Sequence, residues 1–546
     1  MKIYLNLTTP SRAANYKPFL VLFSAYISLI LFSTSLNAQS FRWVMQAGGT
    51  GKDRGRGIGF DPQGNYYWFG DFTGKASFGN TNLTTTAPQA TFLAKLDRNA
   101  TSIWIQQMSG IGGTCIANGL CVDGIGNAYV TGPFLGSLKV GGVNLTTSTV
   151  ASYAAKIDAT GRVVWVNRLP DYFETGRVGT DAVGNVYLAG SCTGTGNFPG
   201  VTFSRFSAVN DWFIVKYGSD GTFQWVRRAG GINVGEIGSQ SMGVSVDSFG
   251  NSFVVASLQG EVMFGDTPPM QVQGTNTFVA KHDPQGNLSW VRQITGGVIG
   301  STSNAPSGEH GCAVDTSGNV YALAGFHGIA SFGAVSLTNN IGYGLLLAKY
   351  DTDGNFLWAW SANGTNIIGA RNLAVDATGS AYVTGQYIGE TAFGNTTLTH
   401  TGNGDIFVAK YDAAGNLLWV VNAGGIGVDA GWAIAVDACG NPFITGAFSD
   451  TAVFGTTVLT SNGGSDIFLA RLDAERPELG VSLIGGQAIV SWPVSSSGCF
   501  QLESSTNLAV ADSWTALETM TAQIDNLKVV TNRLLPTPQF YRLRNP

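Results

Sequence analysis

Charge is scarce in this chain: Asp, Glu, Lys and Arg make up 12% of its 546 residues, about half the usual share. The net charge of −5 comes without a basic cluster, so a nucleic-acid role has no support. Histidine is scarcer still. The four present, His282, His310, His327 and His400, include no pair in HxxxH spacing, and the six cysteines lack the CxxC spacing of a zinc site. Those six cysteines are also too sparse for a disulfide framework. They read mainly as small buried side chains, with Cys115 and Cys121 near enough in sequence to bridge locally. No Gly-x-Ser-x-Gly elbow precedes a helix and no P-loop is expected, so neither a metal nor a cofactor enters the reading. Beyond residue 38 no run is long and apolar enough to span a bilayer.

The one long apolar run lies at the start. Lys2, Arg12 and Lys17 precede Phe19 to Phe32, which falls short of the ~20 residues that span a bilayer, and small and polar residues follow as far as Ala38. Residues 1–38 therefore read as a secretory signal peptide, and the chain as secreted, periplasmic or held at the cell surface, without a membrane span after cleavage.

Glycine is abundant, 74 residues in all, roughly twice the usual share, which implies many tight turns. Asp-x-x-Gly-Asn followed by an alternating apolar run begins at Asp61, Asp123, Asp181, Asp247, Asp315, Asp376 and Asp437, with Ser380 in place of Asn once. A period of about 60 residues marks a repeat architecture. Along the repeats a second strand ends in Lys or Arg, then Asp, then Trp, as in Lys95, Asp97 and Trp104 or Lys410, Asp412 and Trp419. Each repeat reads as four antiparallel strands, one blade of a β-propeller. Phe-Gly pairs such as Phe78-Gly79 and Phe454-Gly455 mark an outer hairpin. The last repeat stops at Asp473 without its Trp strand, while Phe41-Arg42-Trp43-Val44 at the other end has no repeat of its own. The expected fold is all-β: a seven-bladed β-propeller over 39–473, closed by the N-terminal strand completing the last blade, which hides edges an open array would expose. A linker at 474–480 and a small C-terminal β-sandwich at 481–546 follow, the latter from alternating stretches such as Ala488–Trp492 and Phe540–Arg544.

Phrases such as Ala374-Val-Asp-Ala-Thr-Gly-Ser-Ala-Tyr-Val-Thr-Gly385 and Val314-Asp-Thr-Ser-Gly-Asn-Val-Tyr321 resemble the seven-bladed propeller (SBBP-type) repeats of secreted bacterial proteins, and more distantly NHL repeats. The C-terminal stretch is similar to modules with a Ser-Trp strand and a closing Phe-Tyr-Arg-Leu found on many such proteins. The resemblance implies the fold, and for the last module attachment or packing; it implies no activity.

The turn aspartates supply too few oxygens for Ca²⁺ and read as turn devices, as do Asp97, Asp158, Asp283, Asp351, Asp412 and Asp473. The Trp set reads as inter-blade core, and His282, one residue before a turn Asp, as solvated. Binding is expected at the loop that enters the innermost strand, at the mouth of the channel. Five residues before each turn Asp lie Arg56, Asn118, Gly176, Met242, His310, Arg371 and Trp432, dissimilar side chains on equivalent positions. Arg54, Tyr172, Glu174, Arg177, Glu309 and Asp429 add charge or polarity beside them. The ligand-binding candidates are Arg56, Asn118, Arg177, His310, Arg371 and Trp432. The leading expectation is a monomeric, non-catalytic binding or scaffold protein for a protein, glycan or small ligand. The alternatives are a propeller lyase or hydrolase with His310 as base and Arg371 holding an anionic substrate, and a structural envelope component.

Overall fold

The computed structural model of the chain describes residues 3–5, 39–206, 210–232, 242–296, 310–473 and most of 479–544. The signal-peptide stretch lies outside these, apart from Ile3–Leu5, a strand paired with the strand Gln539–Arg544. Most of the linker, residues 474–478, lies outside as well.

The structure is all-β, with propeller-like repetition of one four-stranded unit. In the first unit Arg54–Phe60, Tyr66–Phe72, Ala90–Leu96 and Ser102–Met108 lie side by side, each antiparallel to the next. The last unit contains Ala430–Val436, Pro442–Phe448 and Asp466–Leu472, and its fourth strand is Phe41–Ala47 from the other end of the chain. The second and third strands are buried along their whole length in the first unit, so both of their faces must pack. One face meets the neighbouring sheet: Ile58, Trp68 and Phe92 share a cluster with Phe443, Ile467 and Leu469 of the last unit. Trp68 Nε1 also donates to Thr445 Oγ1 there at 2.8 Å. Each large side chain so buried contributes about 1.5–3 kcal/mol. Phe78 and Phe454 end short outer strands whose hairpins match the expected Phe-Gly turns.

The repeated residues serve the turns and the junctions between units. Asp61 Oδ1 accepts from Asn65 N and Oδ2 from Asn65 Nδ2, both at 2.9 Å, while Gly64 takes φ +79 to close the turn. The aspartate of the second turn works alike: Asp97 Oδ1 accepts from the backbone of Asn99 and Thr101. Between units, Trp and Lys of one sheet reach the same carbonyl in the second turn of the next. Trp104 Nε1 and Lys95 Nζ both donate to Ala159 O at 3.2 Å, and Trp290 Nε1 and Lys281 Nζ to Thr352 O at 3.0 and 2.9 Å. Tyr67 OH adds a bond to Gly126 O at 2.5 Å. The Trp rings thus pack against the clusters between neighbouring units, as expected, most of them partly buried like Trp104 on Tyr67 and Trp225 buried outright. Replacing Trp290 with Phe removes one such donor and part of the ring, and is expected to cost about 1–2 kcal/mol in urea unfolding.

Three expectations need correction. Cys115 and Cys121 do not bridge; both are free thiols, as are Cys192 and Cys312, whereas Cys439 is disulfide-bonded. His282 is buried rather than solvated, and burial lowers its pKa to about 4, with Arg227 adding to the effect. Met242 is buried in the core cluster that contains Tyr187 and Trp212.

The chain divides into two compact units, residues 39–473 without 438–440 forming the larger. The smaller contains two four-stranded antiparallel sheets. One orders Gly480–Ile484, Gln487–Pro493, Leu527–Arg533 and Ala522–Ile524; the other includes Gln501–Ser505 and Gln539–Arg544. Val490, Trp492 and Val530 of the first sheet and Leu502, Tyr541 and Leu543 of the second share one core.

Candidate functional site

The first strands of the repeated units converge. Arg54–Phe60, Gly119–Val122, Phe173–Thr180, Gly243–Val246, Gly311–Val314, Ile367–Val375 and Ala430–Val436 all contribute residues to the wall of one cavity of about 150 Å³. Small residues, Gly57, Gly243, Gly311 and Ala433, leave the space, and Arg56 on its wall comes from a recurring irregularity in the ladder. The pairing passes from Gly55 to Gly57 and skips Arg56; it likewise skips Gly176, Arg371 and Trp432. The residue expected in an entry loop is therefore a β-bulge inside the first strand. A bulged residue is unpaired and its strand bends, which re-aims the side chain. Opposite each bulge stands a glycine that permits the close approach: a Cβ on Gly70 would lie 2.2 Å from Arg54 O, and one on Gly446 1.9 Å from Ala430 O.

The bulges bring three of the expected residues together. The guanidinium carbons of Arg56 and Arg371 lie 4.0 and 4.1 Å from the Trp432 ring centroid. The strand of Trp432 packs between the strands of the two arginines. Stacking of this kind stabilises by about 0.5–2 kcal/mol. Arg56 Nε donates to Asp71 Oδ2 at 3.3 Å, and Asp71 is fully buried. Arg177 holds two other strands together: Nη1 donates to Asn118 O at 3.0 Å and Nη2 to Arg371 O at 2.9 Å. Arg56, Arg177 and His310 line the cavity. His310 is buried and its Nε2 is hydrogen-bonded to Ser257 Oγ at 2.8 Å.

Asn118 differs from the expectation, since its side chain donates to Thr175 O at 2.8 Å and serves strand packing, only its carbonyl meeting Arg177. Asp429 is buried elsewhere, accepting from Gly425 N and Ser449 N. Tyr172 is exposed with φ +66, and Arg54 approaches Asp71 at 4.0 Å. Glu309 lies outside the described residues. Sequence reading missed Asp71 and Ser257, which no motif marks. It also missed Cys312, a cavity-wall thiol whose pKa burial pushes up and so keeps neutral. Among the described residues no group of three or more His, Cys, Asp or Glu could hold a metal, and no helix is long and apolar enough to cross a membrane.

No family model matches the chain. It is 24% identical over 217 residues to an uncharacterised WD repeat-containing protein of Acanthamoeba polyphaga mimivirus, covering 34% of this chain and 15% of that one. It is 31% identical over 128 residues to the regulatory protein FlaEY of Caulobacter vibrioides, covering 23% and 13%. The matched stretches thus span under a sixth of either relative. Among solved structures, a protein of unknown function from Dyadobacter fermentans aligns with TM-score 0.36 and 10% identity over 67% of this chain and 99% of that one. The phage phi92 endosialidase gives 0.38 and 11% over 88% and 79%, and a C-terminal WD40 domain 0.32 and 8% over 78% and 99%.

Proposed function

We propose that the chain is an exported, non-catalytic binding protein: a closed seven-bladed propeller that binds its ligand at the channel mouth, carrying a small C-terminal β-sandwich for attachment. The observation that carries the reading is the cavity to which all seven first strands contribute, with Arg56, Arg371 and Trp432 stacked beside it. Closure is supported by the pairing of Phe41–Ala47 with Asp466–Leu472. Binding is the first reading because dissimilar side chains stand at equivalent positions on the repeated first strands, and variable positions on a rigid scaffold are where binding usually resides. The convergence of His310 with Arg56 and Arg177 on one cavity nonetheless favours a lyase or hydrolase as the second reading.

The experiment is binding of the chain from Gln39 to arrays of glycans and envelope extracts, beside a variant carrying Arg56→Ala and Trp432→Ala. Binding lost in the variant, with secondary structure and melting retained, is the expected result. Binding that survives the double substitution contradicts the site. Consumption of an array ligand, abolished by His310→Gln, would establish the enzymatic reading instead.

A further inference from the structure

We infer that the cavity at the channel mouth seats an oxyanion, the carboxylate, sulfate or phosphate group of the ligand; this rests on the channel-mouth reading above. The residues lining the cavity include two arginines and a histidine, and no carboxylate lines it among the described residues. Among the described residues the acidic partner of Arg56 is Asp71, which meets its Nε at 3.3 Å and is not part of the cavity wall. A guanidinium stacked through its face, as Arg56 is on Trp432, keeps its N–H donors in the plane of the fork, the arrangement that matches two oxygens of an oxyanion. Arg177 is fixed by the carbonyls of Asn118 and Arg371, so little side-chain freedom remains to be lost on binding.

Size narrows the class further. A cavity of about 150 Å³ is well below the ~300–1,000 Å³ of pockets for drug-sized ligands, so it takes the charged group and not the whole molecule. Partial shielding from solvent also raises the value of each charge-assisted hydrogen bond over its value in open water. A neutral hydroxyl or amide would gain far less from the same donors.

The test is calorimetric titration of the chain from Gln39 with inorganic sulfate, phosphate and malonate, against sodium chloride at matched ionic strength. Melting is followed in parallel, for the parent, Arg56→Gln and Arg177→Gln. At least one oxyanion is expected to bind the parent tighter than chloride, with affinity falling about tenfold or more in each folded variant. If Arg177→Gln fails to fold, Arg56→Gln carries the comparison. Oxyanions that bind no better than chloride, or equally well to Arg56→Gln, overturn the inference. Should an array ligand be lost with Arg56→Ala and Trp432→Ala while oxyanions neither bind nor compete, the anion class falls and the channel-mouth reading stands. If the array ligand is kept by that variant, both fall.

Discussion

A chain that begins at Gly48 instead of Gln39 is expected to lose on the order of 5 kcal/mol or more of stability and to self-associate. Phe41–Ala47 makes a ladder of six residue pairs with Asp466–Leu472, from Phe41 opposite Leu472 to Ala47 opposite Ile467. It also packs Trp43 and Met45 against the cluster that joins the first and last units, and Trp43 meets Phe443 at 5.8 Å. Removing it turns Asp466–Leu472, which carries Ile467, Phe468 and Leu469, into an open apolar edge, the kind that pairs with other chains. Thermal melting by circular dichroism and sizing by light scattering check this. A truncated protein that stays monomeric and melts within about 2 °C of the parent would show that the strand does not close the fold.

Stability should peak near pH 5 and fall toward pH 8, driven by three buried aspartates. Burial is the largest cause in each case: it raises Asp53 and Asp405 to about 6 and Asp429 to about 7, from 3.8. Neighbouring Asp466 and Asp71 add to the rise at Asp53, and Asp405 and Asp450 at Asp429, while His400 moderates it at Asp405. The folded state therefore holds protons that the unfolded chain has released. The stability this supplies is complete below about pH 4 and is lost as pH rises through 6 and 7. For Asp405 the loss between pH 5 and 8 is ~1.4 kcal/mol. His282, depressed to about 4 by burial, acts in the opposite direction below its ordinary value, one group against three. On the acid side Asp158, held at about 2 chiefly by the Thr160 hydroxyl, belongs to the turn carboxylates whose contribution disappears as they protonate. Asp405→Asn should flatten the decline from pH 5 to 8. An amide fits there because Asn276, placed six residues before the end of Met270–His282 as Asp405 is before the end of Asp405–Tyr411, accepts from Gly296 N at 2.9 Å. A variant whose melting temperature follows pH as steeply as the parent's would remove Asp405 from this account.

The regular parts of the fold were legible because each repeated residue has a local task. Asp61 and Asn65 close their own turn, so their recurrence marks every hairpin without tertiary information. The incomplete last repeat pointed to Phe41–Ala47 for a similar reason: the Trp strand has a signature of its own. The site was harder to read. Arg56 and Trp432 stood out as dissimilar residues at equivalent positions, but whether such a position is loop or strand depends on ladder register, which spacing alone does not reveal. A signal existed in the glycine nine residues after the turn aspartate, Gly70 after Asp61 and Gly446 after Asp437, where the bulge brings a carbonyl within reach of a Cβ. The buried aspartates also left a trace, in Gly48-Gly49-x-Gly51-x-Asp53 and Gly424-Gly425-x-Gly427-x-Asp429. The link from Arg177 to the Arg371 carbonyl left none, because it joins strands distant in sequence.

Hydrogen–deuterium exchange with and without the best-binding oxyanion of sulfate, phosphate and malonate tests the channel-mouth site most directly. Slowed exchange is expected in Arg54–Phe60, Phe173–Thr180, Ile367–Val375 and Ala430–Val436, the strands that carry Arg56, Arg177, Arg371 and Trp432. Protection confined to residues 480–544, with those four strands unchanged, would contradict it.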